Sequence, residues 1–181
     1  SVAASVDGLV PVVKGNGYGF GRATLHQLIK GLSDYVCVGT IHELDNVADR
    51  VTPIVLTPSP IAPPSTDVIL TIGSVVDVAA LASWRGRVLI KLQSSMRRYG
   101  ATVAELAAVT SAASNNGLDV IGYALHLPLA GTDSDRLAER LRCERRGRKV
   151  DREGGALSQP GAVGAHLAAA ARDDRVVSGA Q

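Results

Sequence analysis

Residues 9–21 read Leu9-Val10-Pro11-Val12-Val13-Lys14-Gly15-Asn16-Gly17-Tyr18-Gly19-Phe20-Gly21. An aliphatic run ends in a lysine, and four glycines within seven residues then turn the chain toward Ala23–Leu32. There Leu25, Leu28, Ile29 and Leu32 recur at three- and four-residue spacing, the period of one helix face. The same strand–turn–helix rhythm repeats downstream. Strands are expected at Leu9–Lys14, Tyr35–Val38, Pro53–Leu56, Asp67–Thr71, Arg87–Leu92 and Asp119–Leu125, all rich in Val, Ile and Leu with little polar alternation. Runs of that kind suit strands covered on both faces of a parallel sheet. Between them, helices are expected at Ile41–Asp49 (Thr40 and Glu43 spaced as a capping box), Val75–Ala82, Thr102–Asn115 and Asp133–Leu141. Six units of about 20 residues, joined by right-handed crossovers, make an α/β protein. The rhythm fits either a (β/α)8 barrel or an open doubly wound sheet.

The chain has 181 residues with 46% hydrophobic content, enough for a packed core in one domain. This composition excludes a disordered chain and a disulfide scaffold. All six aromatic residues lie before position 124. From Cys143 onward the texture turns to Arg, Gly, Ala and Asp, with no Ile, Phe, Tyr or Trp. The net charge is +2, yet eight of nineteen basic residues fall between Arg136 and Arg152. Acidic residues interleave with them, as on a solvated helix face, so nucleic acid is not the expected partner. Cys37 lies in an apolar run and reads as a reduced core thiol. No membrane span or signal segment is evident, and the expected location is cytoplasmic. His26 and His42 fall on helices and His166 in the tail; all read as surface residues, and no pair has metal-ligand spacing.

Strand C-termini are where barrels and open sheets place reactive groups. Lys14 ends an apolar strand, so partial desolvation would free its amine for a Schiff base. The glycines after it would let backbone approach a ligand closely. A phosphate-loop reading fits less well, since Lys14 precedes the glycines and no Gly-Lys-Ser/Thr follows. Taken alone, these residues are equally the pattern of a solvated lysine capping a strand beside a flexible turn.

Lys14-x-Asn16-x-Tyr18-Gly19-x-Gly21 after a Val-rich strand closely resembles the cofactor-lysine motif of the alanine racemase family. The resemblance implies a TIM-type (β/α)8 barrel that binds pyridoxal 5'-phosphate (PLP). Lys14 would form the Schiff base with PLP and act as one of two racemisation bases. Tyr18 would contact the cofactor phosphate, with Asn16 in support. Gly15 and Gly17 stand where the family more often has alanine, and Phe20 where it often has histidine. Downstream, Lys91-Leu92-Gln93-Ser94-Ser95-Met96-Arg97-Arg98-Tyr99-Gly100 is similar to the family's Lys-x-Asp-Thr-Gly-Met-x-Arg-Leu-Gly. Lys91, Met96, Arg98 and Gly100 match at the same spacing; Gln93 and Ser95 depart from it. The match implies that Arg98 contacts the cofactor on the substrate side, positioned by Lys91, which is often carbamylated in the family. A third match, Gly122-Tyr123-Ala124-Leu125-His126, implies that His126 packs against the pyridine ring.

The resemblance runs from about Val10 to Leu141, six of eight barrel units. The expected organisation is therefore an incomplete barrel at 1–142, followed by a low-aromatic, basic and Ala-rich tail at 143–181 that is poorly ordered. In the family the second base is a tyrosine from a separate C-terminal β-domain, reaching across a homodimer. No tyrosine follows Tyr123 here. The expected function is an alanine racemase-like, PLP-dependent isomerase domain acting on a small amino acid to give products such as D-alanine, truncated and weakly active or inactive alone. Two alternatives stand beside it: a non-catalytic PLP-homeostasis barrel, and a degenerate, non-enzymatic fragment.

Overall fold

The computed structural model describes residues 9–47, 50–128 and 130–154. Five strands form one parallel sheet: β1 (Tyr35–Val38), β2 (Thr52–Val55), β3 (Ile69–Ile72), β4 (Arg87–Leu92) and β5 (Asp119–Leu125). Their order in space is their order in sequence, β1-β2-β3-β4-β5. A doubly wound sheet reverses its order at a switch point, whereas a barrel advances one strand at a time. The sequential order therefore selects the barrel over the open sheet.

Leu9–Lys14, expected as a sixth strand, joins the sheet through a single bridge, Val12 to Cys37. The Val13 N–H donates to the Cys37 carbonyl at 2.7 Å, and the Cys37 N–H donates to the Pro11 carbonyl at 2.8 Å. Pro11 has no N–H to extend this ladder, and the glycines after Lys14 turn the chain away at once. The segment thus keeps the strand's place and direction without its length.

Helices α1 (Arg22–Ile29), α2 (Val75–Ala80), α3 (Val103–Asn115) and α4 (Asp133–Gly154) follow the strands, and a 3₁₀ segment occupies Ile41–Asn46. Side chains alternate across the sheet. Val38, Val55, Leu70, Ile72, Val88, Ile90 and Val120 pack outward beneath Val78, Leu81, Leu106, Val109 and Ala113 of the helices. Cys37, Ile54, Ile69, Leu89 and Ala124 pack on the opposite, inner face with Val10 and Val12. A shift of register between Val88 and Leu89 leaves Leu89 paired with Gly122. Such a bulge resets which face the following residues occupy.

Caps end several helices as the spacing anticipates. The Asp77 N–H donates to Ser74 Oγ, and Thr102 and Glu105 form a reciprocal capping box. Thr40 and Glu43 do not. The Glu43 carboxylate instead accepts from the Gly39 N–H at 2.8 Å, and Glu43 is buried. Helix α1 also differs from expectation: Leu28 and Leu32 are exposed, while His26, read as a surface residue, is only 3% exposed. Helix α4 runs on to Gly154, across the boundary expected at 142, and the expectation of poor order for 155–181 lies outside the described residues.

Two consequences can be measured. Burial, with the Arg22 guanidinium beside it, lowers the His26 pKa below the ordinary 6.5. Between that lowered value and 6.5 the unfolded chain holds more protons than the folded one, so stability is complete above 6.5 and falls as pH drops beneath it. Urea midpoints should therefore fall from about pH 7.5 to about pH 5.5, and less steeply in His26→Leu. Equal falls in both proteins would place the loss elsewhere. Gly100 has φ +147°, and a Cβ there would meet the Leu92 carbonyl carbon at 2.8 Å and the Gln93 nitrogen at 2.9 Å. Gly100→Ala should cost about 1–3 kcal/mol in urea unfolding, because neither backbone atom can swing aside.

Candidate active site at the strand ends

The two-residue period carries three chemically active side chains to one face of one sheet edge. Val12 packs inward, so Lys14 follows on the same side, and Leu89 places Lys91 there in the same way. Ala124 does so for His126. All three sit at the C-terminal ends of parallel segments, the edge where barrels carry their chemistry.

Around Lys14 the chain is shaped by glycine. Gly15, Gly17, Gly19 and Gly21 have φ between +58° and +91°, and Tyr18 joins them at +55°. A run of such values reverses the chain within a few residues. The Gly17 N–H donates to the Lys14 carbonyl at 3.0 Å, and the Asn16 carbonyl accepts from Gly19 and Gly21 at 3.2 and 3.0 Å. Arg22 Nη1 reaches back to the Gly15 carbonyl at 3.2 Å. Lys14, Asn16 and Tyr18 are all exposed, so the structure gives Lys14 an open amine rather than the partly desolvated one expected. A Cβ built at Gly15 or Gly19 would meet nothing within 4 Å. This loop therefore borders open space.

Two glycines farther along the edge do the opposite and permit close contact. A Cβ at Gly39 would come within 2.9 Å of Glu43 Oε1 and 3.3 Å of Lys14 Cβ. A Cβ at Gly73 would come within 2.7 Å of the Tyr99 ring. Glu43 reads as a cap and Tyr99 as part of a motif, and neither reading shows these approaches, which depend on the missing side chains at Gly39 and Gly73.

The loop from Gln93 to Gly100 presents Arg98. Its base is closed where the Ala101 N–H donates to the Lys91 carbonyl at 2.8 Å and the Gln93 N–H to the Ala101 carbonyl at 2.9 Å. On one side Tyr99 O–H donates to Asp77 of α2, which also accepts from the Gly73 N–H and from Ser74 Oγ. Burial and that acceptor raise the Tyr99 pKa, so its phenol stays protonated. On the other side Ser95 hydrogen-bonds Glu139 of α4. Lys91 Nζ lies 5.8 Å from the centroid of the Tyr99 ring, within cation–π range.

The electrostatics show that these groups share one field. The pKa of His126 is lowered by burial first, then by the charges of Lys91, Arg98 and Lys14. The pKa of Lys91 is lowered by burial, then by Arg98 and Lys14. Lys14, Lys91, Arg98 and His126, separated by up to 112 positions in the chain, are thereby brought together. Tyr18 and Asn16 stay on the glycine loop beside Lys14. A concentration of positive charge at an open strand edge favours an anionic ligand. Among the described residues, no group of three His, Cys, Asp or Glu side chains could hold a metal ion, and no helix is long and apolar enough to cross a membrane.

Comparison with known proteins gives the same fold. Alanine racemase from Clostridium difficile 630 superposes with a TM-score of 0.67 at 16% identity, covering 84% of this chain and 45% of that one. Alanine racemase from Corynebacterium glutamicum gives 0.64 at 24% identity, covering 81% and 46%. Lysine decarboxylase from Selenomonas ruminantium gives 0.63 at 18% identity, covering 81% and 43%. The chain spans less than half the length of each of these relatives. A comparison with curated protein sequences returns no match. The family model for the alanine racemase N-terminal domain matches residues 1–170. With the sequential parallel strands and the lysine-bearing edge, that match places the chain in the alanine racemase N-terminal domain family of PLP-binding barrels.

Proposed function

We propose that this chain is the cofactor-binding part of a PLP-dependent amino-acid racemase, with Lys14 as the residue that attaches the cofactor. One observation carries the reading: Lys14, Lys91 and His126 stand at the C-terminal ends of parallel segments on one face of the sheet, with Arg98 on the loop after β4 and an open glycine loop beside Lys14. These residues fit PLP. An exposed primary amine is available for the carbonyl, a cationic surround suits the phosphate and phenolate, and a half-buried, neutral-leaning imidazole offers a flat face.

When bound, PLP supplies an electron sink for the bond broken at the substrate α-carbon, and the protein supplies attachment, orientation and proton transfer. Lys14 Nζ would attach the cofactor and would hold the α-proton on its own face of the substrate. Tyr18 and the backbone of the glycine loop would hold the phosphate, and Asn16 shapes that loop through its carbonyl. Arg98, a fixed planar cation, holds an oxygen anion on the substrate side. Lys91, at the end of β4 before the loop that carries Arg98, would steady its direction. His126 would cover the ring.

Racemisation also needs a base on the opposite face of the α-carbon. The family's tyrosine for that role has no counterpart among residues 124–181, which contain no tyrosine. The proposed activity of this chain by itself is therefore attachment and proton exchange, with weak or absent turnover. A small amino acid is the proposed substrate and a homodimer the proposed assembly. The lysine decarboxylase likeness shows why the barrel alone does not choose the reaction.

Adding PLP to the native chain should produce a visible absorption band that borohydride traps on Lys14, and Lys14→Ala should lack it. The same trapped band in the variant would refute the assignment. With PLP and L-alanine in deuterated water, the native chain should exchange the α-proton faster than it forms D-alanine. Steady D-alanine formation matching the exchange rate would show that a second base lies within this chain.

A further inference from the structure

We infer that Glu139 is a positioning residue for Arg98, acting from α4 through Ser95. The inference rests on the proposed role of Arg98 at the cofactor. The Ser95 N–H donates to one oxygen of the Glu139 carboxylate, and Ser95 Oγ donates to the other at 2.8 Å. Both oxygens of one carboxylate thus accept from one residue, 44 positions away in the chain. That geometry fixes orientation as well as distance.

Ser95 stands at the crest of the loop that carries Arg98. The loop's base is bound to β4, and Tyr99 fastens its far side to Asp77 of α2. Between base and crest, Ser94 accepts from the Met96 N–H at 3.3 Å through Oγ and from the Arg97 N–H at 3.0 Å through its carbonyl. Arg97 is held at φ +50°, a conformation that a non-glycine residue keeps only when its surroundings impose it. Glu139 is the contact that closes this side. Arg98, between the Ser95 and Tyr99 anchors, is left exposed with little freedom in its backbone.

The brace is itself well founded. Asp135 Oδ2 accepts from the Thr132 N–H at 2.9 Å and from Thr132 Oγ1 at 2.8 Å, while the Asp135 N–H donates to Thr132 Oγ1 at 3.2 Å. The first turn of α4 is therefore capped one turn before Glu139. The sequence motif has glycine where this chain has Ser95, and glycine offers no hydroxyl for the second arm. The departure at Ser95 thus acts together with Glu139: a serine that can donate twice, and a glutamate placed to accept both.

Glu139→Gln keeps the shape but removes the charge, so that one arm still meets an accepting oxygen while the other must reverse, Ser95 Oγ accepting from the amide nitrogen. In PLP titrations followed by absorbance, it should weaken binding about fivefold to tenfold, with the band position unchanged. In an Arg98→Ala background the same change should have no further effect, because the brace acts only through Arg98. Native-like affinity in Glu139→Gln, or an equal loss in both backgrounds, would overturn the inference. Ser95→Gly, which removes only the hydroxyl arm, should fall between native and Glu139→Gln. If the native chain shows no Lys14-dependent binding, the cofactor reading fails. Amide exchange then decides the brace by itself: residues 95–98 should exchange faster in Glu139→Gln, and unchanged exchange refutes it.

Discussion

The two hydrogen bonds that tie Pro11 and Val13 to Cys37 hold the catalytic proposal together. They set a short stretch of extended chain beside β1, with its residues in phase with the inner face. Without them Lys14 would head a flexible, glycine-rich arm and meet the other strand ends only by chance. With them, its Cβ lies close beside Gly39, and the side chain beyond is exposed. The energy of two backbone bonds is small, but they convert a remote lysine into a neighbour of Lys91 and His126.

Once gathered, these cations oppose one another. Lys91 and His126 both titrate below their ordinary values, in part because Arg98 and Lys14 stand close by. A site arranged this way is poorly satisfied on its own and gains most when an anion enters. The gain is linked to stability, since a ligand that binds only the folded form stabilises it by mass action. Affinity for an anionic ligand and resistance to unfolding are therefore two readings of one arrangement of charge.

Much of this architecture is written in local patterns. Tyr35–Val38, Arg87–Leu92 and Asp119–Leu125 are legible to the residue, because strands covered on both faces have unbroken apolar runs bounded by turn residues. The motifs around Lys14, Lys91 and His126 are legible for a related reason, since each sits at the end of such a run. What the sequence leaves unread depends on partners distant along the chain. Glu43 has the spacing of a cap, yet the missing side chain at Gly39 draws its carboxylate to the Gly39 N–H. His26 lies on a helix whose leucines suggest another inward face, and tertiary packing overrides that pattern. The length of the first strand is misread because one bridge and a complete ladder look alike in an aliphatic run. Ser95 and Glu139 have no local signal at all.

The sequential order of the strands has a kinetic consequence. Paired residues in neighbouring strands lie between 15 and 33 positions apart, and Val12 lies 25 from Cys37. Each closure therefore involves a short loop, for which the entropy lost is modest. A sheet of this kind grows by annealing each new strand to the last, in the direction in which a ribosome releases the chain. At every stage the growing margin is the latest strand, here β5, and Lys14 has already been docked at the opposite margin. The residue proposed to attach the cofactor would thus be among the first parts of the molecule to reach its native place.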